Sequence, residues 1–207
     1  MRHRALRLLV FTVAILGGAV AAAGASAAIA RPAIMEITGN TAQPIGHYEF
    51  CQTHMSECAV RTRRDPRVVL TPQRWNELVA VNGGVNQQIT AATDEQIYGR
   101  PEVWAYPDKI GEGDCEDLAL LKRRDLIQDG WPTGALLITV VRQKNGEGHA
   151  VLTVLTDRGD LVLDNLNPHV LVWNATDYEF VKRQSEYDSG QWVGIDDASG
   201  MAVGSVN

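Results

Sequence analysis

The sequence has no block of basic residues, and this lack argues against a nucleic-acid-binding protein. Its 207 residues include 19 Lys and Arg against 25 Asp and Glu, which gives a net charge of −6 at pH 7. A short basic patch at Arg61, Arg63 and Arg64 is better explained by a solvated loop than by a binding surface. Internal repeats and low-complexity segments are also missing, so the sequence indicates an ordinary folded domain.

The first 27 residues have the composition of a secretory signal peptide. Arg2, Arg4 and Arg7 precede an apolar run over 8–23, and small residues follow at A-x-A sites. This order predicts export and cleavage, which would place the mature protein in the periplasm or outside the cell, with no membrane span. The alternative is an uncleaved anchor, although the run of about 16 residues is shorter than the roughly 20 that span a bilayer.

Cleavage would leave 180 residues, enough for one domain with a sizeable core. It would remove three Arg and no acid, so the net charge would become about −9. We expect a flexible lead-in over 28–43, where Gly and Pro occur without periodicity. The domain itself is expected over 44–200.

Cysteines are scarce, and their odd number is informative. Cys51 and Cys58 lie seven residues apart in a polar, loop-like stretch, which suits a short disulfide in an oxidising compartment. Cys115 would then remain a free thiol. Since a free cysteine is often an inert buried residue, any catalytic role depends on its neighbours.

Helical patterns come first along the chain, and β patterns follow. One helix is expected from Thr71, with Gly83-Gly84 able to bend or split it, and a second over Cys115 to Gln128 with Lys122 and Arg123 facing solvent. The segment 94–113 is expected to be loop. Strands are expected over 135–142, 149–155, 161–164, 178–184 and 191–195. This order predicts an α+β fold with an antiparallel sheet.

Cys115 stands at the predicted start of a helix, where the backbone N–H groups and the helix dipole place partial positive charge. That position favours a thiolate by lowering the pKa of the thiol. The same N–H groups can stabilise the oxyanion that forms when the thiolate attacks a carbonyl. We therefore interpret Cys115 as a candidate nucleophile.

His149 begins one predicted strand and Asp164 ends the next, so an imidazole base and a carboxylate that orients it would complete a triad. A symmetric turn at Arg158-Gly159 would place Asp164 opposite Thr153, about 13 Å along the strand from His149. The triad therefore requires a shifted register or a bulge near the turn. The alternatives are a structural histidine and a surface carboxylate.

These residues resemble the bacterial transglutaminase-like cysteine proteinases. The resemblance is carried by Gly113-Asp114-Cys115-Glu116-Asp117, His149-Ala150-Val151-Leu152 and Leu163-Asp164-Asn165, in that order. It spans roughly residues 44–193. It implies a papain/transglutaminase-like fold and a catalytic triad of Cys115, His149 and Asp164.

The resemblance also implies a cofactor and partners. The family includes calcium-dependent periplasmic proteases that release surface adhesins, and their ligands carry over to Asp114, Glu116 and Asp117. A large surface adhesin as substrate and an inner-membrane receptor that sequesters the enzyme follow by the same analogy. As an alternative to calcium, Asp114 caps the helix while the other two acids favour its positive end.

Two other functions remain open from the residues alone. The acyl-enzyme could pass to an amine, as in transglutaminases, or the chain could be a non-catalytic exported binding domain. Trp104, in the loop before the cysteine, would line the cleft, help position the oxyanion or pack in the core.

Overall fold

Residues 31–196 are described in the computed structural model, so the predicted signal peptide and the last residues of the expected domain lie outside them. The helices are α1 (Ile45–Thr53), α2 (Met55–Cys58), α3 (Pro72–Gln88), α4 (Asp94–Tyr98) and α5 (Cys115–Gln128). The strands are β1 (Glu36–Thr41), β2 (Thr90–Ala91), β3 (Glu112–Gly113), β4 (Leu136–Arg142), β5 (Gly148–Thr156), β6 (Gly159–Leu163), β7 (Leu171–Val172), β8 (Glu179–Gln184) and β9 (Trp192–Asp196). Three short 3-10 helices span Pro107–Lys109, Thr133–Ala135 and Trp173–Ala175.

Seven of the strands form one antiparallel sheet in the order β1-β9-β8-β4-β5-β6-β7. The remaining two, β2 and β3, form a short parallel pair next to the start of α5. The order of helices followed by an antiparallel sheet confirms the predicted α+β fold.

The main core lies between the helices and one face of the sheet. Leu78 from α3 and Leu120 and Leu126 from α5 pack there against strand residues such as Ile138 and Leu152. Alternate residues of the strands point to the opposite face. Together with Met35, which directly precedes β1, these strand residues form a second cluster that contains Val141, Val151, Val162, Phe180 and Ile195. The packing of α5 on the centre of the sheet fixes the first residue of this helix above β5.

The start of α3 is as predicted. Thr71 accepts a hydrogen bond from the backbone N–H of Arg74 at 3.2 Å, and Pro72 occupies the first helical position. The Gly83-Gly84 pair does not break the helix, which continues to Gln88. Burial of Leu78 and Val85 on one face outweighs the low helix propensity of the two glycines.

Several expectations were wrong in detail. Residues 36–41 of the expected lead-in form β1, which pairs with β9. Residues 51–58 are largely helical rather than loop-like, and 94–98 form α4 within the expected loop. Lys122 and Arg123 do not face solvent but are buried.

The predicted disulfide is confirmed. Cys51 and Cys58 are bonded to each other and join the end of α1 to α2, while Cys115 is a free thiol. Across residues 31–196, no helix is both long enough and apolar enough to cross a bilayer.

Candidate active site

Cys115 is the first residue of α5 and is half-buried. Its thiol donates a hydrogen bond to Oε2 of Glu116 at 3.0 Å, and the backbone N–H of Ala150 donates to the sulfur at 3.3 Å. The second contact ties the start of α5 to β5, one residue after His149. The sulfur is therefore held at the junction of the helix and the sheet.

The electrostatics around this sulfur differ from the expectation. Burial, and after it the carboxylate of Glu116, raises the pKa of the Cys115 thiol well above its ordinary value. Partial positive charge at a helix start amounts to about half an elementary charge. The loss of solvent, and then the Glu116 carboxyl group 3.0 Å away, outweigh it.

The structure brings His149 and Asp164 together. Nε2 of His149 lies 2.8 Å from Oδ1 of Asp164, and both side chains are buried. The predicted register shift is confirmed, because the turn between β5 and β6 is Asp157-Arg158 and pairs Thr156 with Gly159. This register moves Asp164 two residues closer to His149 than the symmetric turn would, and the strand ends at Leu163.

The Asp164 carboxylate has three hydrogen-bond donors around it. Besides His149, the backbone N–H of Leu166 donates to Oδ1 at 3.0 Å, and the hydroxyl of Tyr178 donates to Oδ2 at 2.5 Å. Asn86 on α3 donates to the Asp164 carbonyl at 2.8 Å. Burial alone would raise the pKa of Asp164, but the hydrogen bonds from His149 and Tyr178 hold it below its ordinary value.

A cleft of about 390 Å³ opens at this junction, and both Cys115 and His149 line it. Its other walls are Pro44, Glu102, Trp104, Glu116, Val140, Gly148, Ala150 and Lys182. Trp104 both lines the cleft and packs in the main core, and its indole Nε1 is buried without a hydrogen-bond partner in the described part of the chain. The cleft has the size of a small-ligand or peptide side-chain site.

Three acids meet beside Cys115. One oxygen each from Asp94, Asp114 and Glu116 lies within 4.8 Å of the others. Two of these residues were predicted as metal ligands, and Asp94, on α4 about twenty residues earlier, was missed. The sequence signal that could have found it is an acid at a capped helix start within the glycine-rich segment before Cys115.

Asp117, the third predicted ligand, lies outside this group of oxygens. Its Oδ1 accepts a hydrogen bond from the backbone N–H of Ala105 at 2.7 Å. Its Oδ2 is buried and has no partner within residues 31–196.

The burial of these acids is unusual. Burial, and then the neighbouring Glu116, raises the pKa of Asp114 to about 8, and burial raises the pKa of Asp117 to about 8. Oδ1 of Asp94 and Oδ1 of Asp114 are also buried without partners in the described chain. Asp114 occupies the N-cap position of α5, but its side chain makes no capping hydrogen bond. Capping therefore does not account for it, and an all-oxygen donor set fits a hard cation such as Ca²⁺.

The same acids hold the loop that carries Trp104. The backbone N–H of Val103 donates to Oδ2 of Asp94 at 2.5 Å, and Asp117 holds Ala105. Glu102, directly before Val103, has a φ of 58°, the left-handed conformation that non-glycine residues seldom adopt. Asp94 of the acidic cluster, and Asp117 beside it, therefore hydrogen-bond to the backbone of the segment that forms one wall of the cleft.

Comparison with known proteins identifies the family. The sequence profile of the bacterial transglutaminase-like cysteine proteinases, BTLCP, matches residues 37–200. The chain belongs to this family. The mixed fold and the free cysteine at the start of α5 agree with it, and the chain is therefore a transglutaminase-like cysteine peptidase. None of the curated proteins compared with the chain matches it.

Solved structures similar to this BTLCP chain include the LapG protein of Legionella pneumophila in three forms. Calcium-bound LapG is 29% identical, with 56% of this chain and 66% of that chain covered and a TM-score of 0.48. A second LapG structure is 30% identical, with coverage of 61% and 72% and a TM-score of 0.49. EGTA-treated LapG is 29% identical, with coverage of 60% and 68% and a TM-score of 0.49. The chain thus spans about two thirds of the length of these structures.

Proposed function

We propose that the chain is an exported cysteine endopeptidase in which Cys115 is the nucleophile, His149 the general base and Asp164 its orienting carboxylate. The observation that carries this proposal is the 2.8 Å contact of His149 with Asp164 at the wall of the cleft that also contains the Cys115 sulfur. An imidazole held by a buried carboxylate is suited to accept a proton from a neighbouring thiol.

The reaction proceeds through two acyl transfers. His149 takes the thiol proton as the sulfur attacks the scissile carbonyl, and a C–S bond forms with the oxyanion near the first N–H groups of α5. Collapse of this intermediate breaks the C–N bond, and His149 gives its proton to the leaving amine. Water, deprotonated by His149, then attacks the thioester, and the sulfur leaves with the proton returned to it.

We further propose that Asp94, Asp114 and Glu116 hold a calcium ion. Support comes from the three convergent oxygens and from the buried carboxylate oxygens that lack partners among residues 31–196. That Asp117 is a ligand stays a prediction. Its hydrogen bond from the backbone N–H of Ala105 supports the loop that carries Trp104. A bound cation would supply positive charge beside the sulfur, which favours the thiolate.

Export to the periplasm or beyond, a large surface adhesin as substrate and an inner-membrane receptor as partner are part of this proposal. The charged and apolar N-terminus supports export. The Cys51–Cys58 disulfide supports an oxidising compartment. Substrate and receptor follow from the family resemblance.

The triad is tested by incubating the purified chain, in excess calcium, with a proteome-derived peptide library and sequencing new termini by mass spectrometry. We expect new carboxyl termini with the native chain and none with Cys115→Ala. A primary amine included in a parallel reaction separates hydrolysis from transfer, because amide adducts with no hydrolysed termini, with or without added amine, would show that water is not the acceptor. If neither product forms and iodoacetamide labels Cys115 no faster than a free thiol, the proposed function fails.

The cation site is tested by isothermal titration with CaCl₂. Asp94→Asn should weaken calcium binding at least about tenfold, because one charged ligand is lost. Asp65→Asn is the matched control, since Asp65 is an exposed acid far along the chain from the cluster. Absence of calcium binding by the native chain, or equal affinities for native and Asp94→Asn, would remove the metal from the proposal.

A further inference from the structure

The least expected member of the site is Tyr178, which directly precedes β8. Its hydroxyl donates to Oδ2 of Asp164 at 2.5 Å, while Oδ1 of the same carboxylate receives His149 and the N–H of Leu166. The tyrosine ring also lies beside the imidazole of His149, with 5.5 Å between the ring centroids and a tilt of 49°. Tyr178 therefore touches both the base and the carboxylate.

We propose that Tyr178 is a positioning residue of this enzyme, whose hydroxyl fixes the Asp164 carboxylate and whose ring fixes the plane of the His149 imidazole. This inference rests on the proposed function of His149 and Asp164. It adds a fourth side chain to the site, from the segment directly before β8, which contains no residue of the proposed triad.

The geometry explains why a second donor is needed. A carboxylate can rotate about its bond to Cβ and exchange its two oxygens, and His149 on Oδ1 alone would not prevent this. A donor on Oδ2 holds the far oxygen, so Oδ1 stays directed at Nε2 of His149. The backbone of Asp164 is fixed separately by Asn86, so the two contacts together determine where the carboxylate lies.

The charges around the carboxylate keep this arrangement intact over a wide pH range. Burial, and then the Asp164 carboxylate, raises the pKa of Tyr178 well above its ordinary value, so the hydroxyl remains a donor. The other ionisable groups facing Asp164 are His149 from β5 and Lys122 from α5, and Asp177 and Cys115 face Tyr178. Loss of the tyrosine hydroxyl would raise the pKa of Asp164, because one of its stabilising donors disappears.

The test is Tyr178→Phe, which keeps the ring and removes the hydroxyl. The rate of Cys115 alkylation by iodoacetamide is measured from pH 3 to 9 on the full chain in excess calcium. We expect about a tenfold lower rate at neutral pH, since a hydrogen bond to a charged group is lost. The acid limb of the pH profile should also move to higher pH, because Asp164 must be ionised and its pKa has risen. A merely structural role would lower the rate without moving this limb.

Tyr187→Phe is the matched control, because Tyr187 is exposed and its hydroxyl bonds the carboxylate of Glu186 away from the cleft. It should behave as the native chain does. In an Asp164→Asn background, Tyr178→Phe should have no further effect, since both changes remove the same interaction. Thermal unfolding of each variant shows whether it is folded.

The outcomes separate the two proposals. If His149→Ala abolishes rapid alkylation while Tyr178→Phe matches the native rate and acid limb, the inference about Tyr178 is overturned and the proposed function stands. If His149→Ala and Tyr178→Phe both match the native chain, the proposed function itself fails. Additive effects of Tyr178→Phe and Asp164→Asn would also overturn the inference.

Discussion

Two histidines in this protein are nearly equally buried, yet their surroundings are opposite. His47 on α1 is 1% exposed, and His149 on β5 is 6% exposed. The indole N–H of Trp192 donates to Nδ1 of His47 at 3.1 Å, and Nε2 of Gln184 lies 3.1 Å from its other ring nitrogen. His149 instead faces the carboxylate of Asp164. Burial alone therefore does not distinguish a structural histidine from one that is placed to act as a base.

The charged residues near each histidine differ. Burial, and after it the charge of Arg123, lowers the pKa of His47 to about 4, so this imidazole stays neutral. The neighbouring residue of α5, Lys122, faces Asp164 on the other side. Two consecutive buried basic residues thus lie near the two histidines: the charge of Arg123 disfavours protonation of His47, and Lys122 is attracted by Asp164.

The largest expected effect separates the two histidines directly. His149→Gln should lower the rate of Cys115 alkylation at neutral pH by roughly 10³-fold, because the thiol loses its base. His47→Gln should leave that rate within about threefold, because the hydrogen-bond partners of His47, Trp192 and Gln184, lie outside the proposed triad. Stopped-flow alkylation of both folded variants is the measurement. Similar losses in the two variants would contradict the distinction.

Acid should destabilise the fold through His47. Between pH 6.5 and about 4 the unfolded chain binds a proton at this residue and the folded chain does not, so stability should fall as the pH falls. The full effect is on the order of 3 kcal/mol. Urea unfolding at pH 7, 5 and 4 measures it, with His169→Gln as an exposed-histidine control. His47→Gln should show a weaker dependence than native, and an unchanged dependence would refute the assignment.

The disulfide beside His47 should affect stability and leave the chemistry unchanged. Closing a loop of this length contributes about 2.5 kcal/mol by the chain-entropy estimate. The double variant Cys51→Ala/Cys58→Ala should therefore lower the free energy of unfolding by that order. Its Cys115 alkylation rate should stay near native. A large fall in the Cys115 alkylation rate, at a temperature where the variant is folded, would contradict this prediction. It would show that the surroundings of His47 affect the reactivity of Cys115.

Substitution of Lys122 should give the smallest change in stability at a fixed, mildly acidic pH. Burial lowers its pKa to about 7, against the opposing attraction of Asp164, so between pH 7 and 10.5 only the unfolded chain holds the proton. Stability should therefore rise with pH over that window. Lys122→Met should remove this rise and stabilise the fold by roughly 1–2 kcal/mol at pH 6. Lys144→Met, at an exposed lysine paired with Asp177, is the control for urea unfolding. A rise that persists in Lys122→Met would show that other groups cause it.

Much of the framework could be predicted from the sequence, because its signals are local. The bounds of α5 agree with the prediction, since apolar spacing begins at Cys115 and Gly130 and Pro132 end it. The disulfide followed from an odd number of cysteines, and the β-branched runs became β4 and β5.

What could not be predicted depends on distant contacts. Every residue of β1 is exposed, so it carries no pattern of alternating burial, and only pairing with β9 makes it a strand. Asp94 and Tyr178 are far from Cys115 in sequence, and only the tertiary fold brings them to the acidic cluster and to Asp164. No spacing in the sequence indicates this. Lys122 and Arg123 have the composition of a solvated face, and only the fold gives them buried partners: Arg123 donates to the Leu136 carbonyl and pairs with Glu57, and Lys122 is attracted by Asp164.

The left-handed backbone at Glu102 determines what a glycine at this position would change. A glycine would adopt that conformation without strain, which at other residues costs on the order of 1 kcal/mol. Glu102→Gly would thus relax the segment and at the same time give it more freedom when unfolded and when folded. The relief of strain and the greater freedom of the unfolded chain would largely offset one another in stability, so the main result of Glu102→Gly would be a looser wall of the cleft that Glu102 lines.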